Sequence, residues 1–168
     1  SAFFINKEGY AITNNHVIDG ECQKIHGVIK EKKFIFDIIA TDENNDIAIL
    51  RSQKRENHSF LRISEEVNLG EEVIVGGFPL SEGIQNYNIK ITKGIVSAVS
   101  GVNNNFSEIQ IDAAIQGGNS GGPVVNSRGQ LIAVTTYKIH ASPEEAKKGI
   151  SIANMNFGKK SSLVSEML

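Results

Sequence analysis

The chain has 168 residues, 40% of them hydrophobic and 21% charged, with a formal net charge of −2. That length allows one substantial domain or two small sub-domains sharing an interface, and the composition excludes the disordered and collagen-like classes. A near-neutral balance gives nucleic acid no support as the main partner, and no apolar run approaches the roughly 18 residues of a membrane helix. The sequence opens at Ser1-Ala2-Phe3-Phe4 without an initiating Met and already inside a strand pattern, so it reads as a processed or trimmed chain. Cys22 is the only cysteine, which excludes an internal disulfide and a cysteine-based zinc site. Neither a metal nor a cofactor is expected.

Short β-rich runs recur in chain order. Phe3-Phe4-Ile5, Tyr10-Ala11-Ile12-Thr13, Phe34 to Ile39 and Ile47-Ala48-Ile49-Leu50 form a first group. Val73-Ile74-Val75, Ile89 to Thr92, Ile109-Gln110-Ile111, Val124-Val125 and Leu131 to Val134 form a second. Turn-rich separators such as Lys7-Glu8-Gly9, Asn103-Asn104-Asn105 and Ser127-Arg128-Gly129 lie between them, an all-β rhythm. The polar stretch from Arg51 to His58 divides the groups, and two packed barrels or a β-sandwich both fit. The segment from Pro143 to Gly149 reads as a charged loop or single helical turn. The tail from Met155, with Leu163, Val164, Met167 and Leu168 as its apolar positions, reads as a short amphipathic helix.

The chemistry concentrates in Gly117-Gly118-Asn119-Ser120-Gly121-Gly122-Pro123. Packed glycines let successive backbone N–H groups point into one small space, as binding a developing oxyanion requires. The stretch also satisfies G-x-S-x-G, but a strand–turn–strand pattern follows where a nucleophile elbow needs a helix, and no Asp follows Ser120. The partners of Ser120 are therefore sought upstream. Thr13-Asn14-Asn15-His16 sets a histidine just past a strand, and Asp46 stands at the mouth of the strand beginning at Ile47. A serine hydroxyl needs an imidazole to take its proton and a carboxylate to orient that imidazole, so His16 is the candidate base and Asp46 the orienting acid. Asp42 is the rival for Asp46 and is disfavoured because it sits among turn residues. His26, His58 and His140 lack such a setting and read as surface or packing residues.

Thr13-Asn14-Asn15-His16-Val17, Asn45 to Leu50, Thr92 to Ala98 and Ile109 to Pro123 together resemble the catalytic blocks of trypsin-like serine proteases of the HtrA/Deg type, in that family's order and spacing. The resemblance covers nearly the whole chain. It implies two six-stranded antiparallel β-barrels with a short C-terminal helix: a first barrel over 1–55 with its opening strand missing, a link over 56–70, a second barrel over 71–154 and a helix over 155–168. It implies a serine endopeptidase acting on unfolded or extended polypeptides, with catalytic His16, Asp46 and Ser120 and an oxyanion hole from the backbone N–H groups of Gly118, Asn119 and Ser120. It also implies a pocket for the acyl-side residue of the cleaved bond, lined by Ala114, Ile115, Val134, Thr135, Thr136 and Lys138. Ala114 stands where an aspartate would select Lys or Arg, so a small apolar residue is expected first and an acidic one, drawn by Lys138, second. Trimers, an extracytoplasmic location and a C-terminal PDZ domain, which would fall beyond Leu168, are further implications. Gln116-Gly117 departs from the Asn-Pro usual there. The alternative from another class is a protease-fold binding or chaperone module with an inactive oxyanion loop.

Overall fold

The computed structural model describes residues 1–20, 24–29, 31–54, 56, 58–78, 88–149 and 151–168; Cys22 lies outside them. Two antiparallel sheets carry the fold. The first contains β1 (Phe3–Phe4), β2 (Tyr10–Thr13), β3 (Ile25–Ile29), β4 (Lys32–Asp42) and β5 (Ile47–Ser52), with a one-turn helix α1 (Asn15–Ile18) after β2. Its strand order is β1-β2-β5-β4-β3. The second contains β6 (Glu72–Gly77), β7 (Lys90–Ala98), β8 (Glu108–Ile111), β9 (Pro123–Asn126), β10 (Leu131–Lys138) and β11 (Asn156–Lys160), closed into a barrel in the order β10-β11-β8-β7-β6-β9. The expectation of two six-stranded barrels thus holds for the second unit, while the first is a five-stranded half-barrel.

The strands are apolar on both faces where the two units meet. Ile47 and Ile49 of β5 join Ile5, Ile12, Leu131, Val134 and Val164 in a core between the units. Ala48 and Leu50, pointing the other way, join Ala11, Phe34 and Phe36 inside the half-barrel. Period-2 alternation therefore feeds two cores rather than one core and solvent, which is why Ile47-Ala48-Ile49-Leu50 is an unbroken apolar run. Val73, Val75, Val96, Ile109, Ile111 and Ile132 fill the closed barrel.

The connector between the units is strapped to both. Leu61 N–H donates to Phe4 O at 2.9 Å, and Leu131 N–H donates to Arg62 O at 2.8 Å. The C-terminal segment corrects the sequence expectation. Helix runs only over α3 (Ser161–Met167), and the residues before it form β11, which closes the barrel between β8 and β10. A polar strand can be buried there because Lys159 Nζ reaches Glu108 Oε1 at 2.7 Å, neutralising the charge inside. The charged stretch after His140 contains α2 (Pro143–Lys147), begun by a capping box between Ser142 and Glu145.

Candidate active site

His16 lies on α1, whose first residues follow directly from β2. Asp46 closes the turn between β4 and β5 in the left-handed region, at φ 54°, a conformation that Asp tolerates better than most side chains. Asn14, fully buried, donates its side-chain amide to Asp46 O at 2.8 Å and ties this turn to the base of α1. The Asp46 carboxylate then receives two bonds from one residue: His16 N–H to Oδ1 at 2.9 Å, and His16 Nδ1 to Oδ2 at 2.7 Å. An ionised carboxylate can only accept, so Nδ1 carries the hydrogen, and in a neutral ring that leaves the lone pair on Nε2. Asp42 is engaged elsewhere: its carboxylate takes the backbone N–H and side-chain amide of Asn45 at 3.0 and 2.7 Å. Those bonds, the side-chain one foremost, hold its pKa below the usual carboxylate value. Asp42 shapes the turn, and Asp46 meets the histidine.

Ser120 follows a turn from Gln116 to Asn119, closed by Asn119 N–H to Gln116 O at 3.0 Å, with Gly118 at φ 94°. Among the described residues neither Gly118 N–H nor Ser120 N–H has an acceptor, so both are free to bind an anionic oxygen. Asn119, expected as a third donor, spends its N–H inside the turn, and its buried Oδ1 has no partner. The loop is fixed from below by Thr135, fully buried, whose hydroxyl donates to Asn119 O at 2.6 Å and accepts from Gly122 N–H at 3.1 Å. It is fixed from the side by Ser1: its hydroxyl donates to Gly118 O at 2.6 Å, and its carbonyl accepts the Thr13 hydroxyl at 2.7 Å. Gly121, at φ 78°, sits where a Cβ would strike the Ser1 carbonyl, the Thr13 hydroxyl and the Asn14 backbone. The serine loop therefore abuts the segment leading into His16. The Ser120 hydroxyl itself donates to Thr136 O at 3.2 Å, and among the described residues it makes no hydrogen bond to His16.

Beside the turn opens a cavity of about 270 Å³ bounded by residues 114–116, 138–140 and 152–156. Of the residues expected to line it, Ala114, Ile115 and Lys138 do. Val134 and Thr135 do not: both are fully buried, Val134 in the core between the units and Thr135 under the serine loop. Thr136 contributes its carbonyl to Ser120 instead. His140, read from sequence as a surface or packing residue, is exposed and borders the cavity. The floor is held by hydrogen bonds from neighbouring strands, Asn156 Nδ2 to Ala113 O at 2.8 Å and Thr92 Oγ1 to Ala114 O at 2.7 Å. Asp112 accepts Ile95 N–H at 2.7 Å and pins β7 to the same segment. Among the described residues no group of three or more His, Cys, Asp or Glu is placed to hold a metal ion.

Residues 1–134 match the model of the trypsin-like peptidase domain. An uncharacterised protein of Sinorhizobium fredii is 38% identical over 94% of this chain and 25% of its own length. A probable periplasmic serine protease of the do/HhoA-like kind from Haemophilus influenzae is 35% identical over all of this chain and 36% of its own. The periplasmic serine endoprotease DegP of Salmonella typhimurium is 34% identical over 87% of this chain and 30% of its own. The chain thus spans about a quarter to a third of the length of these relatives. Among solved structures, a serine endoprotease from Yersinia pestis superposes with a TM-score of 0.78 at 25% identity, over 98% of this chain and 54% of that one. An HtrA-type protease, AlgW, solved with a decapeptide, gives a TM-score of 0.77 at 27% identity, over 99% of this chain and 49% of that one.

Proposed function

The chain belongs to the trypsin-like peptidase family, and from that premise we propose that it is a serine endopeptidase in which Ser120 is the nucleophile, His16 the general base and Asp46 the residue that orients His16. The observation that carries the proposal is the double hold of Asp46 on His16, which fixes the ring, its tautomer and the direction of Nε2. In the reaction the Ser120 hydroxyl leaves the Thr136 carbonyl. At 3.2 Å that bond is longer than the 2.7–2.8 Å usual for O–H···O, so the exchange costs little. Nε2 takes the proton as Oγ attacks the carbonyl carbon of the scissile bond, and the new alkoxide falls between the N–H groups of Gly118 and Ser120. His16 returns the proton to the leaving amine, giving an acyl-enzyme. Water, deprotonated by the same nitrogen, then releases the acid and restores the serine. Asp46 remains ionised throughout and stabilises the imidazolium.

The substrates are polypeptides in extended or unfolded form, as the resemblance to the DegP-like proteins suggests. The relatives named periplasmic support an extracytoplasmic site of action for this chain as well. The test is a serine-reactive fluorophosphonate probe read by peptide mass spectrometry. Labelling at Ser120 that disappears in His16→Ala is the expected result; an unlabelled Ser120 in folded protein would sink the reading. The rival reading, a binding module on a protease scaffold, draws on the Ser120 hydroxyl resting on Thr136 O rather than on His16. The same experiment separates the two.

A further inference from the structure

We propose that the cavity beside the serine loop selects an acidic side chain, Glu or Asp, on the acyl side of the cleaved bond, and that Lys138 is the residue that reads its charge. This rests on the peptidase reading above and deepens it. The cavity touches the reacting loop at two points: Gln116, whose carbonyl closes the Gly118 turn, is in its wall, and Lys138 stands two residues beyond Thr136, whose carbonyl holds the Ser120 hydroxyl. At about 270 Å³ it lies below the roughly 300–1,000 Å³ of sites for whole small molecules, a size suited to one side chain.

Its charges are of one sign. The bounding segments contain no Asp or Glu, and their only titratable members are Lys138 and His140. Neither has a hydrogen-bond or carboxylate partner among the described residues. Two lysines elsewhere are paired, Lys93 with Glu72 at 2.8 Å and Lys159 with Glu108 at 2.7 Å. Lys138 is half-buried and its position is fixed, because its Cα pairs with that of Asn156 across β10 and β11, and the Asn156 amide is anchored on Ala113 O at the cavity floor. A lysine without a carboxylate partner, in a wall that holds no Asp or Glu, attracts an anionic side chain and repels a cationic one.

The apolar alternative keeps part of the wall. Val134 and Thr135, expected as branched members, are buried away from the cavity, but Ile115, Ile139, Ile152 and Met155 line it. Those side chains suit the methylenes of a glutamate, and Lys138 is the charged residue set among them, beside His140 and two asparagines.

The test uses four internally quenched peptides identical except for Glu, Gln, Val or Lys at the acyl-side position, with the fluorophosphonate probe run in parallel. The expected kcat/KM for Glu exceeds that for the isosteric Gln by roughly 10-fold, and Lys is the slowest of the four. Lys138→Gln is expected to bring the Glu:Gln ratio close to one, and His140→Gln to lower it by a smaller factor. Lys138→Glu, which keeps a charge at the position, is expected to make Lys outrun Glu. Circular dichroism confirms that each variant is folded. A Glu:Gln ratio of one or less in protein that labels at Ser120 overturns this inference and leaves the peptidase reading intact. Protein that neither labels nor cleaves any peptide overturns both.

Discussion

Among the described residues, two side-chain contacts to a carboxylate close at the same distance and do different work. His16–Asp46 and Lys159–Glu108 both close at 2.7 Å. The first spans α1 and the β4–β5 turn of the half-barrel, with side chains 52% and 22% exposed; the second joins β11 to β8 in the closed barrel, at 8% and 6%. Distance therefore says nothing about role. A proton carrier has to reach substrate and exchange with water, which the exposed pair can do and the buried pair cannot. The buried pair answers a different need, a polar strand closing a barrel, and its charges are tolerated only because each faces the other. Removing a partner should accordingly cost activity in one place and folding free energy in the other.

The sharpest way to break that division is at the reacting groups. Ser120→Ala or His16→Ala should lower kcat by roughly 10⁴ to 10⁶ with the thermal midpoint little changed, measured by peptide hydrolysis and calorimetry on the same preparations. Asp46→Asn comes next, with a loss of roughly 10³ to 10⁴ in kcat, since an amide can present its N–H to Nδ1 and set the wrong tautomer. Asp42→Asn, whose carboxylate is held by Asn45 and makes no bond to His16 among the described residues, should stay within a few-fold of the unmodified protein. If Asp42→Asn were the more damaging of the two in folded protein, the assignment of Asp46 would be wrong.

The buried pair should show the reverse. Lys159→Met leaves the Glu108 carboxylate without its cation inside the barrel wall, at an expected cost of about 3–5 kcal/mol in stability. Replacing both, as Lys159→Met with Glu108→Leu, should recover most of that loss, because two apolar groups need no partner. Denaturant melts of the two single variants and the double variant give the coupling directly. A single variant as stable as the parent would mean that water already shares the site and that burial is not what distinguishes the pairs.

The places of the candidate residues in the fold were readable where one residue carries one constraint. Ser120 among glycines, His16 past β2 and Asp46 before β5 were legible because strand ends and glycine runs leave marks in sequence. β11 was not, since Phe157 is its only large apolar side chain and its burial depends on Lys159 meeting a glutamate 51 positions away. β3 was missed for a related reason: Gly27 interrupts its pattern, and only the structure shows the Phe36 ring lying over that glycine. The pocket wall went astray because β10 is buried on both faces and shifts register between Thr135 and Tyr137, so counting along it assigns side chains to the wrong side. Asn119 was overcounted as a donor because a turn consumes an N–H, and the turn's closure is a matter of geometry.

Tyr137 gives the smallest effect and tests how far the buried pair reaches. Its phenol donates to Glu108 Oε2 at 3.0 Å, and its ring stacks on Phe157 at 4.9 Å between centroids. Desolvation, then the hydrogen bond to Glu108 and that residue's negative charge, push its pKa up to about 12 from an ordinary 10. A phenol whose folded pKa is raised favours the neutral form in the native state. Its contribution to stability is therefore complete below about pH 10 and is lost as pH climbs from there through 12. In a spectrophotometric titration of the phenolate band, Tyr137 should ionise late, and Tyr137→Phe should remove its component. Glu108→Gln should move it part of the way back toward 10 but not all of it, because desolvation is the larger cause and survives the substitution. A late component unchanged by Glu108→Gln would place the cause entirely in burial, and its absence from the parent protein would show that the Lys159–Glu108 pair ends at its own two residues.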